Sequence, residues 1–275
     1  MKKLIKNPIV SVIMPAYNAE KYIEKSIVSI LEQTFKEYEF IIIDDCSKDE
    51  TWTVICDFAR KDSRIVALKN TLNLGIAGNR NKGVSLAKGK YVMWQDADDV
   101  SMPLRLENQY KFMESNEEVG IVGGFLEFFD DNGSTSIRKY APDDKTLRKN
   151  IFRYSPVAQP AAMIRKTCLD EFGEYDLKYP PAEDLDMSFR IGTKYKFANL
   201  QEIVLKYREN LGSATFTRLK TIELNTIEIR RKYSKGYAYK MTCFDKLYNL
   251  IQNISIYIIP TKMKIWLFNF IRNTK

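Results

Sequence analysis

The sequence predicts an α/β protein: a mixed, mostly parallel central sheet with helices on both faces, extended at the C-terminus by basic, aromatic helices. Three observations carry this. Short apolar runs rich in β-branched residues alternate with segments of helical periodicity over the first hundred residues. Acidic, turn-forming clusters follow those apolar runs directly. The charge is divided, with 12 Lys and Arg against 3 Asp and Glu in residues 214–275, but 31 against 32 in residues 1–213. At 275 residues, 45% hydrophobic and 28% charged, the chain can bury one large core with an appendage, which excludes disordered and fibrous classes.

IVSVIM at 9–14 is too short for a helix and reads as the first strand. Asn18 stands where a cap belongs, ahead of a helix from about Ala19 to Gln33 that puts Ile23, Ile27, Ile30 and Leu31 on one face. FIIID at 40–44 is the second strand, with Ser47 and Asp49 as candidate caps for a helix to about Arg60. RIVALK at 64–69 is the third strand, Gly75 to Ala87 a helix, YVMWQ the fourth strand, and another helix starts near Pro103. Such alternation brings the strands' carboxyl ends to one edge, where ligands bind. Pro15 to Tyr17, Asp44 to Asp49 and Asp96 to Asp99 all fall on that edge. From about residue 119 the order is mixed. IVGGFLEFF reads as a strand, DDNGS as a turn and AAMIR at 161–165 as a strand, before a helix near Glu183 and closure of the domain near Tyr207. The expected division is therefore 1–213 and 214–275.

Three acidic segments carry the candidate chemistry. In WQDADDV, Asp96, Asp98 and Asp99 repel one another unless a cation sits among them. Mg²⁺ or Mn²⁺ takes such hard oxygen ligands and bridges diphosphate oxygens, although the same residues also suit a solvated turn ahead of a helix. In IIIDDCSKDET, Ser47 and Asp49 suit a turn and cap, while Asp45 can accept a hydrogen bond from a base's ring N–H, with Tyr17 offering a stacking face one strand away. In PPAEDLDMSFR, Glu183, Asp184 and Asp186 open a helix, where carboxylates complement the dipole or one of them serves as a general base. Arg190, about two turns on, can brace these carboxylates or face phosphate.

Taken together, six segments in this order resemble the family 2 glycosyltransferases, inverting enzymes of the GT-A fold, over nearly all of residues 8–210. They are SVIMPAYNAEKYIEKSI, SILEQTFKEYEFIIIDDCSKDET, NLGIAGNRNKGVSLAKGKYVMWQDADD, QPAAMIRKTCLDEFGEYD, AEDLDMSFR and VLKYRE. The resemblance implies that Pro15, Ala16 and Tyr17 line a nucleobase pocket and that Asp45 binds a uracil-type base. It assigns Asp96 and Asp98 to ribose and metal with Ala97 between them, and Asp99 as a further candidate for the metal. Asp184 matches the catalytic base, supported by Glu183 and Arg190. Arg80 falls near the diphosphate or base, its alternative being a helix-surface arginine. The implied donor is a nucleotide sugar, UDP-linked by preference, with Mn²⁺ or Mg²⁺, and the implied acceptor is a saccharide or lipid-linked saccharide of cell-surface polysaccharide synthesis (O-antigen, capsule or exopolysaccharide). One departure stands out: many relatives carry a metal-site histidine just after the Tyr-Arg of the final core strand. This chain has no histidine, and Glu209 or Asn210 stands near that place.

Other classes fit less well. A nucleotide-sugar-binding protein without transfer, or a nucleotidyltransferase, could use the same crevice, but nucleotidyltransferases open with a Gly-rich phosphate loop where PAYNAEKY stands here. A nucleic-acid partner is not expected, because the core lacks a basic excess. Cysteines 46, 56, 168 and 243 show no paired spacing, and no export signal is read in MKKLIKNPIV, so a cytoplasmic setting is expected. No run reaches the roughly 18–20 apolar residues of a spanning helix. YNLIQNISIYII and KMKIWLFNFIR interleave basic and aromatic residues, which suits a peripheral contact with the cytoplasmic face of a membrane, packing on the core, or a homodimer contact.

Overall fold

A computed structural model describes residues 7–209, 217–236 and 238–274. The first half repeats strand and helix: β1 (Val10–Ala16), α1 (Ile23–Leu31), β2 (Tyr38–Asp44), α2 (Thr51–Lys61), β3 (Ile65–Lys69), α3 (Gly75–Leu86) and β4 (Tyr91–Trp94). Next come β5 (Val100–Ser101), α4 (Arg105–Ser115), β6 (Val119–Asp130), β7 (Gly133–Arg138), α5 (Asp144–Asn150), a 3₁₀ turn (Gln159–Ala161), β8 (Met163–Arg165), α6 (Lys166–Phe172), α7 (Glu183–Ile191) and β9 (Lys196–Arg208). The chain closes with α8 (Leu219–Ser234), α9 (Cys243–Ile258), α10 (Thr261–Arg272) and β10 (Asn273–Thr274). The expected break at 213/214 lies outside the described residues.

The sheet order is β10-β7-β6-β8-β4-β1-β2-β3, with β9 joined to β5 and β6. β1 is flanked in parallel by β2 and β4, β2 pairs in parallel with β3, and β8 runs antiparallel between β4 and β6. The long β6–β9 ladder is again parallel, so the sheet is mixed and mostly parallel by paired length.

Alternation along the strands explains the two cores. Val10, Val12, Met14, Phe40, Ile42, Tyr91 and Met93 point to one face, covered by Ile23, Ile27 and Ile30 of α1, Ile55 of α2 and Leu106 and Met113 of α4. Ile13, Ile41, Ile43, Val92 and Trp94 point to the other, covered by Ala77 of α3, the apolar residues of α7 and Ile229 of α8. A strand buried on both faces has to read as a continuous apolar run, and these do. α8 is thus part of the core: Tyr233 stacks on Phe189 with ring centroids 4.6 Å apart.

The beginning of the first helix differs from expectation. α1 starts at Ile23, and Asn18, in the left-handed region at φ 48°, does not cap it. Its side chain accepts the Lys48 N–H at 2.9 Å, while its own N–H donates to Ser47 Oγ. Asp49 likewise receives the Glu20 N–H as well as that of Thr51. These residues therefore stitch the loop after β1 to the loop after β2, because both loops leave parallel neighbours at the same edge.

Candidate active site

β4 ends in the acidic loop, which is fixed from beneath. Gln95, fully buried, donates to Ser26 Oγ, the Asp96 carbonyl and the Asp99 carbonyl, and accepts from Ser101 and Arg105. Arg105, 1% exposed, also reaches the carbonyls of Trp94 and Pro160. Burial pushes Arg105 down to about 9 against the pull of Asp99 and Asp96, so it stays a cation at neutral pH under the loop. From the far side, the Arg208 N–H donates to Asp99 Oδ1 at 2.9 Å and its guanidinium packs over the Tyr22 ring.

This scaffold separates the three aspartates. Asp96 and Asp98 are half-buried, with Ala97 buried between them. Asp99 is 1% exposed, and its Oδ2 lacks a hydrogen-bond partner. Burial lifts Asp99 well above the ordinary carboxylate value, with Asp98 and Asp96 adding to it. The expected three-carboxylate set is accordingly not assembled: among the described residues no three His, Cys, Asp or Glu side chains are arranged to hold a metal ion. Asp99 is drawn into β9, because its backbone partner lies there. Two carboxylates at the crevice still fit a Mg²⁺ or Mn²⁺ ion, since such ions take one or two protein carboxylates and complete their shell with phosphate and water.

On the β1–β2 side, Pro15 is half-buried, Ala16 buried and Tyr17 49% exposed at the rim. Pro15 and Ala16 lie in register with Ile43 and Asp44, which brings Tyr17 beside Asp45. Asp45, the expected acceptor for a base, is engaged within the protein. It is 3% exposed, with Oδ1 taking the Asn70 side chain and the Leu74 N–H and Oδ2 taking the Gly75 N–H at 3.0 Å. A carboxylate just after β2 thereby satisfies the amino end of α3.

Across the crevice, α7 begins with the second acidic cluster. Arg80 of α3, expected near the diphosphate or on the helix surface, is 6% exposed and pairs with Glu183. Its guanidinium lies over the rings of Trp94 at 5.4 Å and Tyr175 at 5.7 Å. Burial works to lower its pKa, but the carboxylates of Glu183, Asp96 and Asp184 outweigh this and raise it. Arg80 thus pairs with the start of α7 within the electrostatic reach of Asp96. Asp184 is half-buried, and no side chain among the described residues hydrogen-bonds its carboxylate. Burial raises its pKa above the usual 3.8, opposed by Arg80 and by the N–H groups of Leu185 and Asp184 itself.

Of the two roles expected of Arg190, bracing the carboxylates is the one the geometry displays. It braces Asp186 at 2.9 Å and reaches the carbonyls of Phe172 and Glu174, while Lys232 and Tyr233 hold the other Asp186 oxygen. That cluster clamps α7 to α6 and α8, on the side away from Asp184. Near the place of the absent histidine, the Glu209 carboxylate is engaged by Asn269 and Thr135, and Asn210 lies outside the described residues. Arg105, Gln95, Trp94 and Tyr175 escape a sequence reading as site residues. Only the position of Trp94 and Gln95 immediately before the aspartates marks them.

Parallel strands deliver an acidic loop and the Tyr17 rim to one edge, opposite a carboxylate-bearing helix start, in a fold of the GT-A class. The family model described as "Glycosyl transferase family 2" matches residues 11–173, and the chain belongs to that family as a glycosyltransferase. It is 34% identical over 264 residues to an uncharacterized glycosyltransferase of Methanocaldococcus jannaschii, covering 92% of this chain and 90% of that one. The Escherichia coli UDP-Glc:alpha-D-GlcNAc-diphosphoundecaprenol beta-1,3-glucosyltransferase WfaP is 32% identical over 224 residues, 78% of this chain and 82% of that enzyme. The fold is shared with a mannosyltransferase from Pyrobaculum calidifontis solved with GDP-Man and Mn²⁺, at a TM-score of 0.66 and 18% identity over 93% of this chain and 72% of that one.

Proposed function

We propose that the protein transfers a sugar from a UDP-sugar, with inversion, to a lipid-linked saccharide in the synthesis of a cell-surface polysaccharide, residues 1–213 forming the catalytic unit and 214–275 its extension. The observation that carries this reading is the buried Arg80, which binds Glu183 and feels Asp96 and Asp184 together. One cation thereby sets the donor-side carboxylates and the proposed base at a common crevice. Support for a UDP donor and a lipid-linked acceptor comes from the WfaP resemblance.

In this reading the base stacks at Tyr17 beside Asp45, and Asp96 and Asp98 would hold Mn²⁺ or Mg²⁺. The ion, when bound, supplies positive charge to the diphosphate leaving group. Asp184 accepts the proton of the acceptor hydroxyl as its oxygen forms a bond to the anomeric carbon. The bond from that carbon to the diphosphate breaks on the opposite face, and its electron pair leaves with the nucleotide. Arg80 opposes the burial that raises the Asp184 pKa and pairs with Glu183. The test is incubation with UDP-sugars, Mn²⁺ and a synthetic saccharide-diphospholipid, followed by NMR of the product anomer. An inverted linkage is expected; retention of configuration would overturn the mechanism, and an absence of product with every UDP-sugar would overturn the donor.

A further inference from the structure

α9 and α10 are built inside out. On α9 the polar residues face the protein: Asp245 pairs with Arg153, Asn249 donates to the Phe152 carbonyl at 2.9 Å, and Gln252 accepts from Arg230 at 2.8 Å. On α10, Lys264 pairs with Glu223, Asn269 bridges Arg138 and Glu209, and Arg272 lies over the Tyr154 ring. The apolar residues face outward instead. Leu250, Ile254 and Ile258 of α9 and Trp266, Phe270 and Ile271 of α10 are each 50–72% exposed. Of 20 exposed large hydrophobic residues among those described, 13 lie between Phe244 and Ile271. An apolar surface so concentrated marks a contact with something else.

Charge selects the partner. The acidic side chains of the extension are all neutralised within the protein, Glu223 by Lys264, Glu228 by Lys178 and Asp245 by Arg153. Lys240, Lys246 and Lys262 stay exposed around the apolar face. A two-fold contact with a second copy would bring two such cationic surfaces together, whereas anionic headgroups complement them. No helix among the described residues is long and apolar enough to cross a membrane. We propose that the outward faces of α9 and α10 are one docking surface for an anionic lipid bilayer, with both helices lying in the headgroup plane. Asn269 ties this surface to Glu209, next to the Arg208 that holds Asp99. A lipid-linked acceptor would then reach the crevice from the bilayer; that purpose alone rests on the functional reading above.

The test is flotation of the full chain with vesicles of phosphatidylcholine, with and without phosphatidylglycerol. The protein is expected to float with the anionic vesicles and far less with the neutral ones. Ile254→Ser and Phe270→Ser should each lower the partition coefficient by about tenfold, as loss of one inserted large apolar side chain implies. Their melting temperatures should not change, since both side chains are exposed. No flotation, or flotation indifferent to both substitutions, would overturn the proposal. So would a dimer in solution that the same substitutions dissolve, which would assign the face to a second copy. Stabilisation by UDP with Mn²⁺, measured on the same samples, keeps the two readings apart: its loss in the wild type strikes the functional reading and leaves the docking surface standing.

Discussion

At the scale of single residues, the proposed mechanism rests on Asp184 and Arg80. A carboxylate acts as a base only when ionised, and burial raises Asp184 while Arg80 opposes the rise. Transfer should therefore fall as pH drops through a value above the ordinary 3.8, the acid limb of a kcat/KM profile. Replacing Arg80 with Gln, together with Glu183→Gln so that no buried carboxylate is stranded, removes the opposing charge and should move that limb to higher pH. An unmoved limb would mean that Arg80 does not act on the base. Asp184→Asn keeps the shape and loses the proton acceptor, so turnover should fall by roughly 10²–10⁴-fold with UDP affinity nearly unchanged; equal turnover would remove Asp184 from the mechanism. At this scale the carboxylates were legible, because acidic residues directly after a strand or at a helix start are visible in a string of letters. The burial of Arg80 was not, since it depends on Trp94, Tyr175 and Glu183 arriving from three distant segments.

Among the elements, the strands were read closely because their apolar runs are set by burial on both sheet faces. The beginning of α1 was not, because a residue suited to capping serves equally well to tie one loop to another, and Asn18 is used that way. Asp45 teaches the same lesson, its carboxylate being recruited by the amino end of α3. Close packing between elements also leaves a testable mark at Gly89, before β4. A Cβ there would sit 2.6 Å from the Ser11 nitrogen, backbone that cannot swing aside. Gly89→Ala should cost about 1–3 kcal/mol, read as a lowered urea midpoint with an unchanged slope. A midpoint equal to that of the wild type would contradict the register of that turn against β1.

For the whole molecule, the division of charge seen in the composition follows the architecture. A nearly neutral α/β unit holds the crevice, and the cationic helices α8 to α10 lie against it. The sequence indicated where the basic residues concentrate, but not that α8 would complete the core through Tyr233 and Phe189 while α9 and α10 turn their apolar faces outward. Helical periodicity reports that a face is apolar, not which way it points. The absent histidine likewise finds no substitute in Glu209, which is held by Asn269 and Thr135. In the proposed reading, a cation would be held by Asp96, Asp98 and the nucleotide together. Thermal unfolding with UDP, with Mn²⁺ and with both tests this most directly. The pair should raise the melting temperature well beyond the sum of the separate effects, worth about 2.7 kcal/mol at a hundredfold excess over Kd and lost in Asp98→Asn. A melting temperature that ignores the pair, or an Asp98→Asn variant that responds like the wild type, would contradict it.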